Sequence, residues 1–273
     1  MNNRYIIGII GAGNMGEALI KGLLKSNLVR SYEILASAKS AKRVKFLEKT
    51  YGIHTTRDNL AVTKACDTTI LSIKPQDMSG VCADIKPVAD INHLFISIAA
   101  GIDCTKLRQF LGKKPKLIRV MPNLPSVIDQ GVSVIYCGAK MPERYRRFAH
   151  QIFQAVGQTV DVRDEKLMDV VTGLSGTGPA YIFALMEAME TAGKKFGLSQ
   201  KMARMLTIQT AVGAAEMVCQ TGLPPEELRN RVTSKKGTTW AAMNHLKDRG
   251  FWKTIEEAIL AATKRAKVLR NMD

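Results

Sequence analysis

The chain has 273 residues, 46% of them apolar, with 40 Lys+Arg against 24 Asp+Glu and a formal net charge of +16. That composition builds a folded core and excludes disordered and fibrous classes, and at roughly 150 residues per domain the length suggests one large domain or two ordinary ones. The longest apolar stretches, 6–13 and 94–102, fall short of the roughly 18 residues a membrane-spanning helix needs, so no span is expected.

Arg4 before the first apolar run imitates a signal peptide, but no small-residue cleavage site follows and the run leads into a glycine-rich turn, so it reads as a strand. Strands are predicted over 5–10, 32–36, 68–73, 94–98, 116–120, 131–136 and 159–161, with helices over 14–26, 40–50, 105–111 and 142–156. This alternation predicts an α/β, Rossmann-type, doubly wound and mainly parallel sheet as a dinucleotide-binding domain over 1–163. Beyond Asp164 the strand signals stop, and Ala, Met, Leu and Glu recur at helical spacing, so 164–273 is expected to be all helical. Gly178-Pro179 opens one helix, with Tyr181, Leu185, Ala188, Ala192 and Phe196 on one face and Gly197 at its end. Ser199 caps the next, which runs to about 220 before Gly222 and Pro224-Pro225, and further helices are expected near 238–247 and 251–271. Ala211, Gly213, Ala214 and Ala215 permit close helix–helix approach, inside one subunit or between two, and a homodimer is favoured.

Five scattered cysteines without a C-x-x-C and four histidines without ligand spacing suggest neither disulfides nor a metal site, and a reducing cytoplasm is expected. The basic residues are spread along the chain without a nucleic-acid-binding motif, which favours anionic small molecules as partners.

Gly11-Ala12-Gly13-Asn14-Met15-Gly16 directly follows a predicted strand and opens a predicted helix. The first glycine makes the tight turn, the second lets the backbone approach a pyrophosphate, and the third permits helix–strand packing. An NAD site would carry Asp or Glu at the end of the second strand; here the sequence is Ala36-Ser37-Ala38-Lys39, with Lys42 and Arg43 following, so NADP is expected over NAD. Ser72-Ile73-Lys74-Pro75-Gln76, Ala99-Ala100-Gly101 and Arg119-Val120-Met121-Pro122-Asn123 follow strands and should border the nicotinamide. Lys74 is either a phosphate or substrate contact or a solvated turn residue. Two hydroxyl- and glycine-rich segments precede helices: Ser175-Gly176-Thr177-Gly178, and Ser234-Lys235-Lys236-Gly237-Thr238-Thr239. Their backbone N–H groups suit an anion such as a carboxylate, although spacing alone favours ordinary helix capping for both.

Taken together, the fingerprint with Glu17-Ala18, Ile73-Lys74-Pro75-Gln76, Ser97 to Ile102, Arg119 to Asn123, Leu174 to Tyr181, Gln209-Thr210 with Gly213-Ala214-Ala215, and Glu227-Leu228-Arg229 leading to Val232-Thr233-Ser234 resemble pyrroline-5-carboxylate reductase, in order and over nearly the whole chain. The resemblance implies a Rossmann domain, a helical dimerisation domain with the active site between them, and reduction of 1-pyrroline-5-carboxylate to L-proline with NADPH or NADH. It implies cofactor contacts from Ser37, Lys39 and Asn59, a substrate carboxylate held at Ser234, Gly237, Thr238 and Thr239 with Ser175, Gly176, Thr177 and Gly178 nearby, and Thr239 near the ring nitrogen. Lys235-Lys236-Gly237 stands where the family usually has Pro-Gly-Gly, and Asn123-Leu124-Pro125 where it has Asn-Thr-Pro. The alternatives are another Rossmann-plus-helical reductase of a small hydroxy or keto acid, or a non-catalytic dinucleotide-binding homologue.

Overall fold

The computed structural model describes residues 5–271, so Arg4 falls outside the described residues. Two compact units are present: one takes the described residues up to Thr177 and those from Ala261 onward, the other Gly178–Leu260. The 164–177 and 261–271 segments, which the sequence reading groups with the helical domain, thus pack with the sheet.

The first unit is built on eight strands: β1 (Tyr5–Ile10), β2 (Ile34–Ser37), β3 (His54–Thr56), β4 (Cys66–Leu71), β5 (Leu94–Ser97), β6 (Lys116–Met121), β7 (Gly131–Cys137) and β8 (Gly157–Val162). Their order is β3-β2-β1-β4-β5-β6-β7-β8. Pairing is parallel from β3 through β6, β7 runs antiparallel to β6, and β8 is parallel to β7. The first six strands have the dinucleotide-binding order, which reverses between β1 and β4 and opens a crevice at their carboxyl ends.

Helices cover both faces, which is why β5 and most of β4 are buried residue after residue rather than alternately. On one face α1 (Asn14–Lys25), α2 (Ala41–Tyr51) and α6 (Glu143–Gln154) pack Leu19, Leu23, Leu47, Ile152 and Phe153 against Ile7 and Ile9. On the other, α3 (Asn59–Ala65), α4 (Met78–Ile85) and α5 (Cys104–Leu111) bring Val62, Met78, Cys82 and Leu107 to Ile10. Gly8 admits α3, since a Cβ there would lie 2.7 Å from Val62 Cγ1.

Several elements depart from the sequence expectation. The strand expected over 32–36 begins at Ile34, because Ser31–Glu33 forms a 3₁₀ turn in which Arg30 N donates to Glu33 Oε2 at 2.7 Å. The strand expected over 68–73 is Cys66–Leu71. β3, α3 and α4 have no counterpart among the predicted elements, being three, seven and eight residues long. Such lengths are too short for a clear period.

After α7 (Leu167–Val171) the chain makes one π-helical turn, Thr172–Gly176. The second unit then holds α8 (Gly178–Lys195), α9 (Gln200–Thr221), α10 (Pro225–Arg231), α11 (Thr238–Asp248) and the start of α12 (Phe251–Asn271). α10, following Pro224, is likewise additional to the prediction. Ser199 caps α9 as expected, accepting from Met202 N at 3.3 Å, and Gly222 ends it at φ 64°. Gly193 lets α8 approach α9, with room for a Cβ only 3.1 Å from that of Ala203. On the apolar face predicted for α8, Leu185 is 44% exposed, and Phe196, just beyond the end of the helix, 82%.

Candidate functional site

At the sheet's reversal point, Gly11 closes the turn after β1 at φ 87°, where a Cβ would overlap Ile73 Cγ2 and sit 2.6 Å from Ser72 O. Gly11 N and Ala12 N both donate to Ser37 O, at 3.1 and 2.8 Å, tying the turn to the end of β2. Gly16 packs under the turn, 3.1 Å from Gly11 O by its missing Cβ, whereas the corresponding space at Gly13 is open to 4.0 Å. Gly13 caps α1 without a side-chain acceptor, so the first-turn N–H groups of Asn14, Met15 and Gly16 lack a capping oxygen. Uncapped N–H groups at a helix N-terminus, beside a glycine that lets another molecule approach, form a pyrophosphate cradle.

A cavity of about 720 Å³ lies over this turn, within the range of about 300–1,000 Å³ typical of ligand sites. Among the predicted cofactor residues, Gly11, Gly13, Asn14, Lys39, Asn59, Ile73 and Lys74 line it. Met15, Gly16, Ser37, Pro75, Ala99, Ala100, Gly101, Pro122 and Asn123 do not. Ser37 is buried, its hydroxyl donating to Asn59 Oδ1 at 2.7 Å, so it orients Asn59 rather than facing the cavity. Lys74 precedes the 3₁₀ turn Pro75–Asp77, which Pro75 opens. Ala99 is buried, and Gly101 adopts φ 72° with Leu269 of α12 packed against it.

Arg43 is engaged with the glycine turn. Its Nε donates to Ala12 O at 2.8 Å, one terminal nitrogen donates to Gly13 O at 3.1 Å, and the same nitrogen pairs with the Glu17 carboxylate, which also accepts from Tyr51 Oη at 2.7 Å. Burial works against the Glu17 charge, but the Tyr51 hydrogen bond and the Arg43 guanidinium outweigh it and hold the carboxyl below its usual range. The same burial and Glu17 charge push Tyr51 up to about 12. Lys42 does not line the cavity. Arg57 and Asp77, which no sequence motif singled out, do.

Asn123 Nδ2 donates to Ser175 O at 3.2 Å while its Oδ1 accepts from Val132 N at 2.9 Å, so Asn123 joins the end of β6 to the π turn. In that turn Ser175 Oγ donates to Val171 O at 3.0 Å and Thr177 Oγ1 to Thr172 O at 2.9 Å. A Cβ on Gly176 would lie 2.5 Å from Met121 Cε. Below the loop, buried Arg119 pairs with Glu165 at 2.8 Å, and the same carboxylate oxygen accepts from Cys104 N at the start of α5.

In the second unit, Gly237 N donates to Ser234 O at 2.9 Å, and a Cβ at Gly237 would collide with Ser234 Oγ. Thr238 and Thr239 form the first turn of α11, again without a side-chain cap. Lys236 takes φ 61°, a left-handed position that a β-carbon disfavours. No group of three or more His, Cys, Asp or Glu among the described residues is arranged to hold a metal ion.

Comparison with known proteins bears on this geometry. Residues 165–269 match the pyrroline-5-carboxylate reductase dimerisation family, and residues 6–101 match the family described as NADP oxidoreductase coenzyme F420-dependent. The pyrroline-5-carboxylate reductase of Pseudomonas aeruginosa is 41% identical over 260 residues, 95% of this chain and 95% of that protein. The chain belongs to the pyrroline-5-carboxylate reductase family. Among solved structures, the Coxiella burnetii reductase superposes with a TM-score of 0.90 at 34% identity, covering 98% of this chain and 99% of that one. A Plasmodium falciparum pyrroline carboxylate reductase with NADP bound gives 0.88 at 28% identity, covering 99% and 100%.

Proposed function

We propose that this protein reduces 1-pyrroline-5-carboxylate to L-proline with NADPH. The observation that carries the reading is the Gly11–Gly13 cradle at the sheet's reversal point, in a chain that matches a reductase of this family over 95% of its length. NADPH, when bound, supplies a hydride to the ring carbon of the C=N bond, and with the nitrogen protonated no strong nucleophile is needed. What the chain contributes is positioning. Gly11, Gly13, Asn14, Met15 and Gly16 would cradle the pyrophosphate; Lys39 and Asn59, the latter oriented by buried Ser37, would take the adenosine end; Ile73, Lys74, Pro75, Ala99, Ala100, Gly101, Pro122 and Asn123 would frame the nicotinamide. The family resemblance assigns substrate binding to Ser175, Gly176, Thr177 and Gly178 and, within the second unit, to Ser234, Gly237, Thr238 and Thr239, where the uncapped first turn of α11 suits a carboxylate. The family resemblance assigns Thr239 as hydrogen-bond partner of the ring nitrogen, and Ser175 and Lys74 are the other proposed catalytic residues.

The proposed functional division is 1–163 for the cofactor and 164–273 for substrate and self-association, the latter supported by the family match over residues 165–269. A homodimer, or an assembly of dimers, is supported by the match to a dimerisation family and by exposed apolar residues on α8 and α9, Phe183 and Met205 among them. No described helix is long and apolar enough to cross a membrane. Five free cysteines support a reducing cytoplasm as the setting.

Gly13→Ala tests the reading. The added methyl meets nothing within the free protein closer than 4.0 Å, so melting is expected to match the parent while NADPH binding and turnover are lost. A Gly13→Ala protein with parental NADPH affinity would overturn the cradle.

A further inference from the structure

Three cations lie around the end of β2, where a doubly wound sheet places the adenosine ribose: Lys39, Arg43 and Arg57. Their hydrogen bonds separate their roles. Arg43 is engaged through Ala12 O, Gly13 O and Glu17, which makes it a clasp on the glycine turn. Lys39 Nζ reaches to Asp77 Oδ1 at 2.9 Å, from the loop after β2 to the turn after β4. Arg57 follows directly on Thr56, which pairs with Ser37, and its Nε donates to Lys39 O at 3.2 Å. That bond fixes the guanidinium beside the β2 loop. Its terminal nitrogens have no acceptor among the described residues, although Arg57 lines the cavity. A planar fork with two free N–H₂ edges, anchored through its third nitrogen and with no carboxylate at the end of β2, is matched to a phosphate monoester.

We infer that Arg57 is the residue that reads the 2′-phosphate of the cofactor and so sets preference for NADP over NAD, with Lys39 as a second donor that Asp77 restrains. The inference rests on the dinucleotide reading above. It assigns opposite effects to neighbouring residues: loss of Arg57 weakens only ligands carrying the 2′-phosphate, and loss of the Asp77 charge strengthens the same ligands by releasing Lys39.

The test is calorimetric binding of 2′,5′-ADP and of 5′-AMP to the full chain, a readout independent of turnover. Arg57→Gln is expected to weaken 2′,5′-ADP by roughly 10- to 100-fold, as loss of charge-assisted hydrogen bonds does, and to leave 5′-AMP within about twofold. Arg57→Lys should fall between, and Asp77→Asn should tighten 2′,5′-ADP several-fold without changing 5′-AMP. Equal weakening of both ligands, or of neither, by Arg57→Gln would overturn the assignment while leaving the dinucleotide site standing. Absence of binding of either ligand to the unaltered, folded protein would overturn both.

Discussion

Replacing Arg43 by Met keeps the length of the side chain and removes its charge and its donors. Three interactions go with it: the bonds to Ala12 O and Gly13 O and the pair with Glu17, in a setting where both side chains are 25% exposed. A hydrogen bond involving a charged group contributes about 1.5–3 kcal/mol when well buried. Partial exposure, the retained Tyr51 bond to Glu17 and the retained aliphatic stem bring the expected total loss to about 2–3 kcal/mol. For a unit of this size that lowers the melting temperature by roughly 4–12 °C. The functional consequence is a loosened glycine turn, so NADP⁺ and NAD⁺ affinities should fall by a similar factor. Thermal and urea denaturation, with calorimetric titration of both dinucleotides, measure the two effects together. An Arg43→Met protein of parental stability, or one that loses NADP⁺ while keeping NAD⁺, would refute the clasp and make Arg43 a reader of the phosphate.

The same cluster predicts a pH response. Because Glu17 is held below its ordinary value of 4.5, its contribution is complete above that pH and is lost as pH falls through the lower native value; Arg43→Met should flatten this acid limb in a stability–pH titration. Tyr51, raised from 10.0 to about 12, contributes fully below 10.0 and loses its share as pH rises toward 12, a decline that Tyr51→Phe should remove. At Lys236 the left-handed backbone costs about 1 kcal/mol, so Lys236→Gly should be neutral to about 1 kcal/mol stabilising and Lys236→Val destabilising by about 1 kcal/mol in urea melts; equal stability of all three would refute strain there. Burial pushes the thiols of Cys66, Cys82 and Cys104 up to about 12 and that of Cys137 to about 11. At pH 8 a thiol reagent should therefore label at most the exposed Cys219 quickly, and two or more fast-reacting thiols per native chain would contradict the raised thiols of the buried Cys66, Cys82 and Cys137 and the half-buried Cys104.

The parts of the fold legible in the sequence were those with strong local signals. The run into Gly11-Ala12-Gly13 announced both strand and turn, Ser199 and Gly222 bracketed α9, and the change from Val/Ile runs to Ala/Met/Leu spacing marked the helical segment. What stayed hidden depended on pairing. β3 spans only His54–Thr56 and exists because it lies beside β2, with Thr56 opposite Ser37. Without that strand nothing connects Arg57 to the cofactor crevice, and its place in the cavity could not be read from residue order. Ser37 shows the reverse case: its position at the end of β2 was legible, but its side chain turns inward to Asn59, a choice set by packing. Arg43, grouped by charge with Lys39, proves to be held by backbone carbonyls that only the folded turn presents. Lys235-Lys236, read as a departure from the usual glycine-rich loop, makes a turn with Lys236 at positive φ.

The central claim, reduction of a cyclic imine by a dinucleotide held at this turn, is tested most directly by following loss of reduced-nicotinamide absorbance on adding 1-pyrroline-5-carboxylate, with proline quantified in the same sample. The account predicts one proline formed per NADPH consumed, with NADH used less efficiently. Folded protein that binds NADPH yet forms no proline with either cofactor would contradict it.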